Sequence, residues 1–327
     1  MPSTTPIQVK TNKKAEVNWI LLVEKHRVLL IFIVLCVIAG FLSDVFFTMS
    51  NVMNVLRQVS IIAIIASGMT LIILLAGIDL SVGAVMAFSG AILAGAFTAG
   101  WPLWIAILAA LAVGLLFGLF NGFFVARFGI PSFIVTLAVM VIARGATLVY
   151  TKGYPLVVSN EPYRFIGSGR FFGIPIPIII MFIVFGLMYW MLKYTSFGRY
   201  IFAIGGNEET AILSGINVKA IKIAVFGISG LLSALSAIIY TSRLMSAQPT
   251  AGTGIELDAI AAVIIGGTSL SGGKGTVVGT LIGALIMGVL DNILNLMNVS
   301  PFYQSIAKGL VILIAVLVDS KFSKIKK

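Results

Sequence analysis

Residues 269–276 read SLSGGKGT, and a glycine-rich run holding a lysine has the composition of a loop that cradles phosphate. That chemistry needs G-x-x-x-x-G-K-[ST], in which backbone amides surround the phosphates, the lysine reaches them and a hydroxyl holds Mg2+. Lys274 follows Gly273, but Gly275 stands at the hydroxyl position and Thr268 at the first glycine. No strand pattern precedes the run, so nucleotide binding by this chain is rejected. Other chemistry is thinly supplied. One histidine, His26, stands between Lys25 and Arg27, and one cysteine, Cys36, lies inside an apolar run. A single imidazole and a single thiol make neither a catalytic triad, nor a zinc site, nor an internal disulfide. No catalytic residue, metal ligand or cofactor is assigned to the chain.

The remaining polar residues of interest sit within apolar runs. Asp79 lies in AGIDLSVG, where flanking glycines suggest a break and the carboxylate can cap the following helix through free backbone amides. A carboxylate at membrane depth costs at least about 2.5 kcal/mol unless it finds a partner or water. Arg144 lies late in a span, where it either snorkels to the outer edge or pairs with a carboxylate. Asn121, Asp291, Asn292 and Asn295 lie in other spans. Their groups suit sugar hydroxyls, which need donors and acceptors together, and equally suit hydrogen bonds between helices. These six residues are the candidates for a translocation pathway or gate.

The elements that must position them are membrane helices. Of 327 residues, 59% are hydrophobic and only 10% charged, and the mean hydropathy is +1.12. Soluble domains carry nearer ~25% charge, so lipid is the solvent for most of this surface. Apolar runs long enough to form spans fall at 28–47, 52–76, 82–98, 103–126, 132–150, 174–193, 220–240, 257–270, 276–297 and 302–318. The expected fold is therefore all-α, a polytopic bundle of about ten transmembrane helices, with the third and eighth runs short or broken. The first run exceeds the ~7–15 residues of a signal-peptide core and reads as a retained helix. Small residues four apart, at Gly114, Gly118 and Gly122 and at Gly279 and Gly283, predict close helix packing.

The net charge is +11, yet no basic stripe interleaves with aromatics, which excludes nucleic acid as a partner. Charge placement instead gives orientation. With the N-terminus in the cytoplasm, the inner side receives Lys10, Lys13, Lys14, Lys25, Arg27, Arg127, Lys193, Arg199, Lys219, Lys222, Lys274, Lys321, Lys324, Lys326 and Lys327. The outer side receives Arg57, Lys152, Arg164, Arg170 and Arg243. Both termini are expected inside, as a tail at 1–26 and a tail at 320–327 around a transmembrane domain at 27–319. An outer loop is expected at about 151–173 and an inner loop at about 194–219. Within the inner loop, Asn207 as a cap, Glu208 and Glu209 in a first turn and Gly215 as a stop predict a short surface helix. GIDLSVG from Gly77 echoes GTSLSGG from Gly267, through Gly77, Leu80, Ser81 and Gly83 against Gly267, Leu270, Ser271 and Gly273. The echo is either an internal repeat or a chance likeness of glycine-rich segments.

Three long blocks, GMTLIILLAGIDLSVG, YIFAIGGNEETAILSGINVKAIKI and SAQPTAGTGIELDAIAAVIIGGTSLSGGKGTVVGTLIGALIMG, closely resemble the permeases of bacterial monosaccharide ABC importers. The resemblance covers residues 47–319 and is nearest to the ribose-transporting members, with xylose, allose, galactose and autoinducer-2 permeases as alternatives. It implies location in the bacterial inner (plasma) membrane and a second permease copy completing one pore. It also implies a cytosolic ABC ATPase that binds ATP-Mg in its own chain, and an external sugar-binding protein. On that resemblance Asn207, Glu208, Glu209, Thr210, Ala211 and Gly215 form the helix that couples to the ATPase. Glu208, Ala211 and Gly215 match the acid–small–glycine pattern, while Thr210 departs from the small residue expected there. Arg57, Lys152, Arg164, Arg170 and Arg243 are then candidates for docking the binding protein. From another class, an ion-gradient-driven secondary transporter needs several deep acids, and only Asp79 and Asp291 qualify.

Overall fold

The computed structural model describes residues 19–325, and thirteen α-helices with four two-residue strands occupy them. The expected N-terminal tail lies outside the described residues as far as residue 18, as do Lys326 and Lys327. Each of the ten apolar runs carries a helix: α1 (Trp19–Leu42), α2 (Met49–Leu74), α3 (Val82–Thr98), α4 (Leu103–Phe128), α5 (Ser132–Thr151), α7 (Ile176–Tyr194), α10 (Val218–Leu244), α11 (Ile255–Ile265), α12 (Val277–Leu296) and α13 (Pro301–Ile325). Six of these, α2, α4, α5, α7, α10 and α12, are long and apolar enough to cross a membrane. The chain is thus a multi-pass helical membrane protein. The α11 helix has 11 residues, about 16 Å at the α-helical rise, and spans only half a bilayer.

Helix starts follow local chemistry. Thr48, Asn160, Thr195, Asn207, Asn217 and Thr276 each accept a backbone N–H in the first turn of the helix they precede, as short polar side chains do at that position. The helices α4, α5 and α7 follow Pro102, Pro131 and Pro175 directly, where proline's fixed φ suits a start.

Two central helices, α2 and α10, are largely enclosed, whereas α4, α5 and α7 turn apolar side chains outward. Val149 is 81% exposed and Phe41 88%, surface that only lipid or another apolar partner covers. The predicted glycine spacing operates here. A β-carbon at Gly118 would lie 2.2 Å from the Phe226 carbonyl oxygen, and one at Gly114 2.3 Å from that of Gly230, so α4 and α10 touch backbone to backbone. Gly279 and Gly283 meet Gly266 and Ala262 in the same way, joining α12 to α11. Close backbone approach supplies the dispersion contacts that lipid cannot drive.

The segments expected as loops hold structure of their own. Residues 151–173 contain α6 (Glu161–Ser168), β1 (Leu156–Val157) and β2 (Arg170–Phe171). The β1 strand pairs antiparallel with β4 (Ser246–Ala247), and β2 pairs with β3 (Ile174–Pro175). Residues 194–219 contain α8 (Ser196–Gly206) as well as the predicted short helix, α9 (Glu208–Leu213). One end of the bundle therefore carries α6 and the strand pairs, and the opposite end carries α8 and α9.

Candidate functional site

Two links are drawn into the bundle from opposite ends. The link from Leu75 to Ser81 leaves the end of α2 and runs up beside α5, where Ser132 Oγ accepts from the Ile78 N–H at 2.9 Å and Thr136 Oγ1 from the Leu80 N–H at 3.1 Å. The link from Met245 to Gly254 leaves α10 at the α6 end and is held by Arg144, whose Nη1 donates to the Pro249 and Ala251 carbonyls at 3.2 and 2.7 Å. Arg144 thus donates to backbone oxygens of this link. The helices that follow, α3 and α11, begin side by side. A β-carbon at Gly83 would lie 2.2 Å from the Gly252 carbonyl oxygen and 2.6 Å from Glu256 Oε2.

An acid holds the residue just before each start. Asp79 is 2% exposed; its Oδ1 accepts from the Ser81 N–H at 2.8 Å and the Ser81 hydroxyl at 2.6 Å, and its Oδ2 from Ser229 Oγ at 3.4 Å. Asn121 Nδ2 donates to Ser81 Oγ at 2.9 Å. Asp79 thus holds Ser81, the residue just before α3, at a point about 16 Å along α10 from its start at Val218. Glu256 Oε1 accepts from the Gly254 N–H at 3.2 Å.

Toward the α6 end the helices enclose a cleft of about 440 Å3, whose polar wall is Gln58, Tyr240, Arg243, Asp258, Asp291 and Lys308. Lys308 Nζ of α13 stands 2.9 Å from Asp258 Oδ2 of α11 and 3.0 Å from Asp291 Oδ2 of α12. A charge removed from water at this depth requires such compensation, and losing one partner typically costs 3–5 kcal/mol. The cleft is within the size range of small-molecule sites. Among the described residues no cluster of His, Cys, Asp and Glu gathers that could hold a metal ion.

Of the six residues singled out as pathway candidates, only Asp291 borders this cleft. Asn292 exchanges reciprocal amide hydrogen bonds of 2.9 and 3.0 Å with Asn51, and Asn295 accepts from Gln304 at 3.0 Å. Asp79, Asn121, Asn292 and Asn295 are thus engaged with helices and links. Sequence reading passed over Asp258 and Lys308. A signal was available: Lys308 is the single charged residue in the 302–318 run.

At the opposite end, Asn207 Oδ1 accepts from the Thr210 N–H at 2.8 Å and starts α9. Glu208 is paired with Lys222 of α10 at 2.7 Å, and Ala211 is buried. Glu209 and Thr210 stay exposed, and Gly215, with φ +80°, turns the chain after the last helical residues. Leu213 is 88% exposed. The glycine-rich run 269–276 lies at this end too. Gly273 donates its N–H to the Leu74 carbonyl at 2.9 Å. A β-carbon on Gly205 of α8 would lie 1.8 Å from that same oxygen. The run follows a helix, and its glycines serve backbone packing.

Of the basic residues on the α6 side, Arg243 lines the cleft, Arg57 is half-buried in α2, and Lys152, Arg164 and Arg170 lie outside it around α5, α6 and β2.

The family described as "Branched-chain amino acid transport system / permease component" matches residues 51–316. The ribose import permease protein RbsC of Haemophilus influenzae is 52% identical over 90% of this chain and 93% of its own length. Its counterpart in Escherichia coli K12 is 51% identical over 91% and 94%. The D-allose transport system permease protein AlsC of E. coli is 37% identical over 99% and 100%. No solved structure matches the chain. Relatives and spans together assign it to the bacterial inner (plasma) membrane as a multi-pass protein. With a match across most of its length and half of its residues shared with ribose import permeases, the chain belongs to this family of transport-system permease components.

Proposed function

We propose that this chain is the pore-forming subunit of an ATP-driven importer that carries ribose inward. The observation that carries the reading is the gap between 52% identity to a ribose import permease and 37% to an allose permease over comparable lengths. The geometry agrees with it. A bundle surrounded by apolar surface holds a polar cleft toward one end and, at the other, a capped helix whose Leu213 faces outward for a partner.

In this reading the ten apolar helices all take part in the membrane domain, α11 as a half-length element. Both termini, α8 and α9 face the cytoplasm, and α6 and the strand pairs face outward. Two copies of the chain complete one pore. A cytosolic ATPase, with ATP-Mg bound in its own chain, grips α9 through Glu208, Glu209, Thr210 and Leu213. A sugar-loaded binding protein docks over Lys152, Arg164 and Arg170, beside the groove formed by Glu161, Arg164 and Phe165 on α6. The links before α3 and before α12, which carry the GIDLSVG and GTSLSGG echo, are equivalent parts of a repeat. The bundle has two arrangements, and each partner shifts their balance only by its differential affinity for one of them.

The test is uptake into proteoliposomes holding the permease with the ATPase and binding protein of its own importer. Labelled ribose should accumulate with ATP-Mg and be displaced by unlabelled ribose. Preferential displacement by xylose, allose or galactose would reassign the solute. Uptake driven by an ion gradient without ATPase would overturn the class.

A further inference from the structure

We infer that Asp258, Asp291 and Lys308 form a contact subsite for vicinal hydroxyl groups of a neutral sugar in the outer half of the pathway. The inference rests on the importer reading and names residues where that reading names only a cleft. The argument is one of matched vacancies. Three helices, α11, α12 and α13, each bring one charged group to the wall of the 440 Å3 cleft. One ammonium serves two carboxylates, at 2.9 and 3.0 Å. Two of its three N–H donors are thereby taken and one remains. On the acceptor side, Asp291 is only 6% exposed, and its Oδ1 is buried with no hydrogen-bond partner. Buried oxygens are normally satisfied, because each one left bare costs about 1–3 kcal/mol, and of the few left bare among the described residues only Asp291 Oδ1 belongs to a residue lining the cleft.

A free donor and a free acceptor on adjoining groups suit a ligand that offers both at neighbouring atoms, and adjacent sugar hydroxyls do so. With Arg243 on the same wall, two carboxylates face two cations, so the cleft has no net formal charge and suits a neutral solute better than the dianion of a sugar phosphate, which would enter this depth uncompensated. Hydroxyls can replace part of the ion pair without stranding any charge, so contact is weak and quickly released, as a pathway requires. Gln58 and Tyr240 extend the same polar wall.

The chain's single cysteine allows a direct test. On a Cys36→Ser background, Gln58→Cys is labelled by a charged methanethiosulfonate reagent in the assembled importer, with and without ribose at high concentration. Ribose should slow labelling, ribose 5-phosphate should not, and Asp291→Asn should abolish the protection. In vesicles, Asp291→Asn should lower ribose uptake about tenfold while binding-protein-stimulated ATP hydrolysis changes less than about twofold. Gln58→Cys that resists labelling, protection that survives Asp291→Asn, or uptake and hydrolysis falling in parallel would each overturn the subsite. If the unmutated importer moves no ribose with ATP, the importer reading fails. The labelling protection, which needs no ATP, then still decides the subsite.

Discussion

Lys222 Nζ of α10 lies 2.7 Å from Glu208 Oε1, so the first residue of the short helix α9 is tied to the longest helix of the bundle. The pair is partly exposed and contributes under about 1 kcal/mol to stability. Its interest is geometric, because it fixes the angle between α9 and α10. Glu208→Lys should lower uptake and loosen the ATPase while membrane insertion stays normal, read by co-purification of the two subunits. The charge-swapped Glu208→Lys/Lys222→Glu protein separates two roles. Full recovery would mean that Glu208 acts only on Lys222; persistent loss would mean that it also touches the ATPase.

The adjacent glycines of α8 make an internally controlled experiment. A β-carbon at Gly205 collides with the Leu74 carbonyl and the Gly273 amide, whereas one at Gly206 meets nothing within 4 Å. Gly205→Ala should wedge α8 away from α2 and the 269–276 run, costing about 1–3 kcal/mol in thermal stability and depressing uptake. Gly206→Ala should be close to neutral in both assays.

Asp79 distinguishes a cap from a solute ligand. Asp79→Ala strands the Ser81 N–H, with a cost of about 1–3 kcal/mol, visible as a lower melting temperature in detergent. Asp79→Asn keeps an acceptor oxygen toward Ser81 and should retain most stability and transport. A large transport defect in a stable Asp79→Asn protein would give this carboxylate a role beyond capping.

Tyr163 of α6 is fully buried, and its hydroxyl donates to the Ile238 carbonyl at 2.7 Å. Burial pushes its phenol above the ordinary tyrosine range. The folded state therefore holds this proton where the unfolded chain releases it. That contribution is complete below about pH 10 and is lost as the pH climbs further. Tyr163→Phe should cost about 1 kcal/mol near neutral pH and should make the alkaline decline in melting temperature shallower.

The helices were readable in the sequence to the extent that their apolar runs were uninterrupted. All ten runs carry helices, because sustained hydrophobicity at membrane depth leaves the backbone no other way to satisfy its hydrogen bonds. The α8 helix escaped because SFGRYIFAIGG holds three glycines and reads as a loop. Close contact with neighbouring elements explains two of them: Gly198 lies against Leu192 and Gly205 against Leu74. The α6 helix carried its signal in Asn160 and Pro162, a cap and an early proline, but it is short. In the site, Asp79 was legible because its partner Ser81 is two residues away. Lys308 meets Asp258 across 50 residues, and no local pattern records a pairing made by three helices.

The contact of Gly83 with Gly252 has a mechanical meaning. Interlocked side chains resist sliding, because every displacement lifts a knob out of its hole. At Gly83 the main chain meets that of Gly252 with the Glu256 and Ile255 side chains close beside it, so the fit admits nothing larger than glycine's hydrogen. Helices α3 and α11 both begin at that contact, so a β-carbon added at Gly83 would part the two starts at once.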